Sequence, residues 1–244
     1  MAAPVLAIVP LYIYPTNSAA WAPLITSLSA NTTVDVQVII NPNSGPGDTQ
    51  YPDSNYIAAI AELNSYSNVQ TVCYVPTSWA NRAITDVETD VSTCAGWASY
   101  TEADIHMDGI FFDEAVYEYN DTTSSYMSSI TSYAQNALGS GRDTIIFNPG
   151  TVVSTSWYGI ADYIVAFENS YSAYSEAVLS SIPSTVRGQS QFIIYGFTGD
   201  TTDQTTLVND LVAGGIGTIF ITTQTVYTAW SSLWAQFCAS LAAA

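Results

Sequence analysis

Two short stretches place acidic side chains where an apolar run ends. Asp113-Glu114 closes Gly-Ile-Phe-Phe, and Glu168 closes Tyr-Ile-Val-Ala-Phe. Carboxylates at the end of an apolar strand cost desolvation energy, which a purely structural position would avoid. Neighbours on a strand point to opposite faces, so one of Asp113 and Glu114 should face a site while the other braces it or faces the loop. A helix-capping aspartate is the plainer alternative for Asp113, and an exposed helix-leading glutamate for Glu168. Paired carboxyls suit glycosidic cleavage, in which one protonates the leaving oxygen and the other attacks or activates water.

The rest of the composition removes competing chemistries. The chain has no lysine, so Schiff-base mechanisms are absent. Its single histidine, His106, precedes the Gly-Ile-Phe-Phe run, as does Asp108, and both are expected in structural roles. Cysteines 73, 94 and 238 lack zinc-ligand spacing, and neither a metal nor a cofactor is called for. Arg82, Arg142 and Arg187 are the only possible strong ion-pair partners, and none is expected beside a strand end. The carboxylates are therefore expected to be free to titrate.

Those three basic residues stand against 21 acidic ones, for a net charge of −18. Such a protein cannot neutralise phosphates, which excludes nucleic acid and anionic membrane surfaces as partners. A neutral or cationic ligand is favoured. No stretch approaches the roughly 18 unbroken apolar residues of a membrane span. The N-terminal Met-Ala-Ala-Pro-Val-Leu-Ala-Ile-Val-Pro lacks a basic region and reads as a strand. A mature secreted chain with a start Met in place of its signal is expected. The sequons at Asn31 and Asn120 agree with secretion.

These residues need elements to hold them. Apolar runs at Val5–Val9, Val34–Ile40, Val69–Tyr74, Gly109–Phe112, Thr144–Phe147, Tyr163–Phe167, Gln191–Tyr195 and Thr218–Ile221 read as buried parallel strands. Helical patterns lie between them at Trp21–Ser29, Tyr56–Asn64, Ala83–Ala98, Ser124–Leu138, Tyr171–Ser180, Asp203–Ala213 and Ala229–Leu241. A short crossover of one or two turns is expected at Ser154–Ile160. Eight such units in 244 residues match a (β/α)₈ barrel, an α/β fold, with no linker or boundary within 1–244. A doubly wound sheet is disfavoured, because no Gly-rich phosphate loop follows the first strand.

Barrel active sites lie at the C-terminal ends of the strands. Besides Asp113, Glu114 and Glu168, the strand-end residues are Asn41, Asn43 and Asn148, amides suited to sugar hydroxyls or to orienting a carboxylate. Tyr12, Tyr14, Tyr74, Trp79 and Tyr195 are aromatics able to stack on sugar faces. If Tyr74 points into the mouth, Cys73 faces the helix carrying Cys94. A Cys73–Cys94 disulfide would then leave Cys238 free, a pairing the sequence leaves open.

Six motifs in order carry a resemblance: Pro10-Leu-Tyr-Ile-Tyr-Pro15, Ile40-Asn-Pro-Asn-Ser-Gly-Pro-Gly47, Tyr74-Val-Pro-Thr77, Gly109-Ile-Phe-Phe-Asp-Glu114, Asn148-Pro-Gly-Thr151 and Phe167-Glu168. The chain resembles the spherulin-4 family, glycoside hydrolase family 135, along nearly its whole length. The resemblance implies a (β/α)₈ barrel acting as an endo-α-1,4-N-acetylgalactosaminidase on galactosaminogalactan-like polysaccharide, with functional carboxylates at Asp113, Glu114 and Glu168. Cys73 and Cys94 depart from the family pattern, which has Gly and commonly an aromatic there. The expected roles are Asp113 as nucleophile and Glu168 as general acid/base, with Glu114 and Asn148 orienting the sugar or tuning pKa values. Retention is expected by analogy with retaining α-galactosidase barrels. A substrate-assisted route is the rival, because Asp108-Gly-Ile-Phe-Phe-Asp-Glu114 resembles the strand-4 signature of chitinase barrels. A monomer acting on polysaccharide is expected, and the competing class is a non-catalytic carbohydrate-binding or spore-coat protein, with its carboxylates salt-bridged or buried.

Overall fold

In this computed structural model, residues 6–244 are described. Eight strands run in chain order, all parallel, and close into a barrel: β1 (Leu6–Leu11), β2 (Asp35–Ile40), β3 (Val69–Pro76), β4 (Gly109–Asp113), β5 (Thr144–Phe147), β6 (Tyr163–Ser170), β7 (Ser190–Tyr195) and β8 (Thr218–Ile221). Each follows one of the expected apolar runs. Val5 and the residues before it lie outside the described ones. The strands are buried on both faces, inside by one another and outside by helices, which is why they are written in unbroken Val, Ile and Phe.

Among the described residues seven helices cover the barrel: α1 (Ala22–Ala30), α2 (Ser54–Asn64), α3 (Ile84–Gly96), α4 (Asp121–Leu138), α5 (Glu176–Ser181), α6 (Thr201–Ala213) and α7 (Trp234–Ala243). Their starts are written locally. Asp53 caps α2, while Asn120 and Asp200 form capping boxes on α4 and α6. Helix α3 buries Val87, Val91 and Cys94, one stripe at helical spacing, and Cys94 is bonded to Cys73 of β3. That disulfide matches the expected pairing, and Cys238 is free and buried.

Two expected helices begin five residues later than their patterns. Tyr171 packs on Phe197 at 4.6 Å and Tyr174 against Phe167 at 6.0 Å, so Tyr171–Ala173 is a single 3-10 turn and α5 begins at Glu176. Residues 229–233 form a loop instead of the first turn of α7. Trp230 donates its indole N–H to Ala20 at 2.7 Å, and the Ser231 hydroxyl accepts from the backbone of Thr223 and Leu233. Tertiary contacts override helical propensity in both places. The fifth crossover is one 3-10 segment, Thr155–Gly159, as expected.

Gly109, which opens β4, is required by packing. A Cβ there would lie 2.2 Å from the Thr144 carbonyl oxygen of β5. Lower in the barrel the filling is polar. Gln191 donates to Gln37 at 2.7 Å, and Gln37 to Gln70 at 3.3 Å, across strands β7, β2 and β3.

Candidate active site

The upper mouth of the barrel is organised around Asn148. Its backbone N–H donates to Phe112 at the end of β4 (2.9 Å), and its side chain is buried just past β5. The amide nitrogen donates to two carboxylates, Asp113 Oδ1 at 2.7 Å and Glu168 Oε2 at 2.6 Å. Two bonds of that length to one nitrogen keep the two acceptor oxygens within about 5.3 Å of each other. The Asn148 Oδ1 atom is buried without a partner, because the amide nitrogen is committed to the acids.

Asp113 is aimed inward by simple alternation. It pairs laterally with Pro76, and Phe111 and Tyr74 below it share the inner face. The Tyr74 hydroxyl donates to Asp113 Oδ2 at 2.5 Å. Glu168 arrives by a less regular route. On β6, Val165 pairs with Gln191 of β7, yet Phe167 pairs with Phe192 and Glu168 with Ile193. The β-bulge at Ala166 adds one residue and reverses the alternation beyond it. Without it, Glu168 would face the helices. Gly150 adopts φ 67°, where a Cβ would lie 3.7 Å from the Glu168 Cβ, and its carbonyl accepts the Glu168 N–H at 3.0 Å.

The second donor to Glu168 is the Tyr227 hydroxyl, at 2.6 Å to Oε1. Tyr12, at the top of β1, packs its ring edge-on against Tyr74 (5.9 Å) and Tyr227 (5.7 Å). The two acids are thus held by neutral donors on a floor of three tyrosines. Burial pushes the Glu168 carboxyl above the usual glutamate range, and the Asp113 charge adds to this, against the hydrogen bonds from Tyr227 and Asn148. Burial, then the negative charge of Asp113 and Glu168, raises the Tyr12 hydroxyl well above its ordinary value. Burial and the neighbouring acid do the same for Tyr74 and Tyr227. All three phenols therefore stay protonated at working pH, and Tyr74 and Tyr227 remain donors to the acids.

Glu114 turns the other way. Its φ of 51° puts it in the left-handed region, and its carboxylate accepts from the Ser78 hydroxyl at 3.2 Å. Ser78, Trp79 and Ala80 are also left-handed, with φ of 49°, 54° and 63°. Each such non-glycine residue costs about 1–2 kcal/mol. The turn is held by hydrogen bonds from Trp79 N–H (2.7 Å) and Thr77 Oγ1 (2.9 Å) to the Glu114 carbonyl.

Of the other sequence candidates, Asn41 spends its side chain on the loop after β2, accepting the Gly45 N–H at 2.9 Å. Asn43 is exposed in that same turn. Tyr195 ends β7 and contacts Asn169 at 3.4 Å. His106 and Asp108 lie at the opposite end of the barrel, as expected. The imidazole meets Asp104 at 2.6 Å and Asp108 at 3.2 Å, and Asp108 also accepts the Thr71 N–H at 2.8 Å. One expectation is corrected: Arg82 does reach a strand end. Its loop folds back, so the guanidinium donates to the Pro76 carbonyl at 3.0 Å. It is nonetheless paired with Asp90, and among the described residues no arginine pairs with Asp113, Glu114 or Glu168. Neither Tyr227 nor Ser78 directly follows an apolar run, so the sequence pattern does not mark them. Among the described residues no three His, Cys, Asp or Glu converge as a metal-ligand set, and no helix is long and apolar enough to cross a membrane.

Comparison with known proteins agrees with this architecture. Residues 7–241 match the family described as Spherulin4, spherulation-specific family 4. Spherulin-4 of Physarum polycephalum is 36% identical over 166 residues, covering 68% of this chain and 45% of that relative, so the match spans under half of the curated protein. The crystal structure of Aspergillus clavatus Sph3 in complex with GalNAc superposes with a TM-score of 0.92 at 32% identity, covering 98% of both chains. A GH18 chitinase from Pseudoalteromonas aurantia (TM-score 0.57, 13% identity, 98% of this chain and 100% of that one) shares the fold alone. The same holds for α-L-fucosidase isoenzyme 2 from Paenibacillus thiaminolyticus (TM-score 0.58, 10% identity, 98% and 48%).

Proposed function

The chain belongs to the spherulin-4 family, and from that premise we propose that it is a secreted, endo-acting glycoside hydrolase of α-1,4-linked, N-acetylgalactosamine-containing polysaccharide. The observation that carries this reading is the single Asn148 nitrogen bridging Asp113 and Glu168. The bridge keeps the two bridged oxygens no more than about 5.3 Å apart, a limit compatible with carboxyl groups about 5–5.5 Å apart, at which one can act as nucleophile. An inverting enzyme needs about 6.5–9.5 Å to admit a water. The GalNAc bound by the Aspergillus clavatus relative supports the choice of sugar.

Asp113, its oxygens oriented by Tyr74 and Asn148, attacks the anomeric carbon as the glycosidic C–O bond breaks. Glu168, its pKa raised by burial, gives its proton to the leaving oxygen. Glu168, now anionic, takes a proton from water, whose oxygen displaces Asp113 with net retention. Tyr227 and Asn148 stabilise the Glu168 anion during the second half. Glu114 orients the sugar from the rim. A binding protein without turnover would be expected to salt-bridge or bury its carboxylates; Glu168 is largely desolvated, but among the described residues no arginine pairs with either acid.

The test is hydrolysis of purified acetylated and deacetylated polymer, with products read by mass spectrometry. The parent is expected to release short oligosaccharides. Asp113→Asn and Glu168→Gln should each lower the rate on the order of 10²-fold or more, since each removes an acid–base or nucleophilic role. Parental rates in both variants would refute the assignment.

A further inference from the structure

Six tryptophans occur in the chain, and one is treated unlike the rest. Trp21, Trp157, Trp230 and Trp234 donate their indole N–H to backbone carbonyls, and Trp97, whose N–H is unpartnered, is fully buried, so exposure is what sets one ring apart. Trp79 is 53% exposed, and among the described residues its indole N–H has no acceptor. Its backbone is the centre of the left-handed turn Ser78–Ala80. An exposed aromatic gains nothing for folding, and the turn beneath it is strained, so the arrangement does not serve stability.

The turn is also firmly fixed. Trp79 N–H and Thr77 Oγ1 both grip the Glu114 carbonyl, while Ser78 Oγ reaches the Glu114 carboxylate. Asn81 closes the turn from its far side through the Ser78 carbonyl at 2.9 Å. Arg82, next along, is anchored by Pro76 and Asp90, and its own carbonyl accepts the Tyr126 hydroxyl at 2.8 Å. The backbone held this way presents the indole at the rim, one residue beyond Ser78, whose hydroxyl touches Glu114. Galacto-configured pyranoses carry an axial O4, which leaves a continuous C–H face suited to packing on an indole.

We propose that Trp79 is a stacking platform for a second sugar ring of the polysaccharide, outside the ring held between Asp113 and Glu168. Chain recognition then extends over the loop between β3 and α3, and affinity grows with chain length. This rests on the glycosidase reading above, and its test is a binding measurement that does not depend on turnover.

In the Glu168→Gln background, affinity is measured by calorimetry for N-acetylgalactosamine and for α-1,4-linked oligomers of increasing length. Adding Trp79→Ala should weaken binding of the longer oligomers about tenfold and leave the monosaccharide unchanged, with an unaltered melting temperature. Trp79→Phe should restore most of the loss. Tyr133→Ala, which removes an exposed ring on the outer helix α4, should change nothing. Equal oligomer affinity with and without the indole would overturn the platform. Length-dependent binding that Trp79→Ala abolishes for the monosaccharide as well would also overturn it, by placing the ring in the inner site. Failure of the Glu168→Gln protein to bind any oligomer would overturn the glycosidase reading itself, and the platform with it.

Discussion

The two ends of the barrel handle charge in opposite ways. At the lower end His106 is flanked by Asp104 and Asp108, and Asp108 further binds the backbone N–H of Thr71. Each acid there has a partner that can carry the opposite charge. At the upper end Asp113 and Glu168 are held by phenols and one amide, all neutral. Among the described residues, all five non-glycine residues with positive φ lie in loops after β2, β3 and β4, at the upper end. One end is built to be closed and stable; the other stores desolvation and backbone strain. That asymmetry is expected where a barrel keeps structural residues below and chemistry above.

The largest effect that tests this division concerns the wall between the ends. The Cys73–Cys94 bond spans 21 residues and ties β3 to α3. In the chain-entropy model, removing a cross-link over such a loop costs about 3 kcal/mol. Cys73→Ser with Cys94→Ser should therefore lower stability by about that amount in chemical denaturation. It should leave the pH dependence of turnover unchanged, because Cys73 faces away from Tyr74 and the acids. A shifted pH profile in the double variant would show that the wall and the upper site are not separable.

A smaller effect probes the neutral donors. Tyr227→Phe removes a hydrogen bond that lowers the Glu168 pKa, so the carboxyl should titrate at higher pH than in the parent. With Glu168 as the proton donor, the alkaline limb of kcat should move upward. The rate at the optimum should fall about tenfold, the worth of one hydrogen bond to a charged acceptor. An alkaline limb that stays in place or moves down would mean that Tyr227 does not tune Glu168.

How much of this was legible beforehand depended on what carried the signal. The strands were legible because parallel strands buried on both faces are continuous apolar runs, and Asp113, Tyr74 and Asn148 were legible because each directly ends or follows one. Glu168 was found by the same rule, but its inward aim depends on the bulge at Ala166, which nothing in Tyr-Ile-Val-Ala-Phe announces. Tyr227 stands well past Ile221 in a loop with no periodicity, so only folding brings it to Glu168. The beginnings of α5 and α7 are not legible because aromatic and serine contacts from distant segments, invisible locally, displace the first helical turn.

The smallest effect is the sharpest contrast, because the two ends should respond to pH with opposite sign. Burial raises the Glu168 pKa, so the folded state binds its proton more tightly than the unfolded chain does. The stability this gives is complete below the unfolded value of about 4.3 and is lost as pH rises through the higher folded value. The hydrogen bond from His106 lowers the Asp104 pKa, with partial burial opposing it. Its contribution is complete above the unfolded value of about 3.9 and is lost as pH falls through the lower folded value. Melting temperatures of parent, Glu168→Gln and Asp104→Asn should therefore be compared from pH 2.5 to 7, each variant as a difference from the parent. The parent's advantage over Glu168→Gln should shrink as pH rises, whereas its advantage over Asp104→Asn should grow. Each change should be on the order of 2 °C or less, since Asp104 is largely exposed and screened by solvent and Glu168 retains two hydrogen bonds. Slopes of the same sign at both positions would mean that the upper acid is as well compensated as the lower one, and the contrast between the two ends would fail.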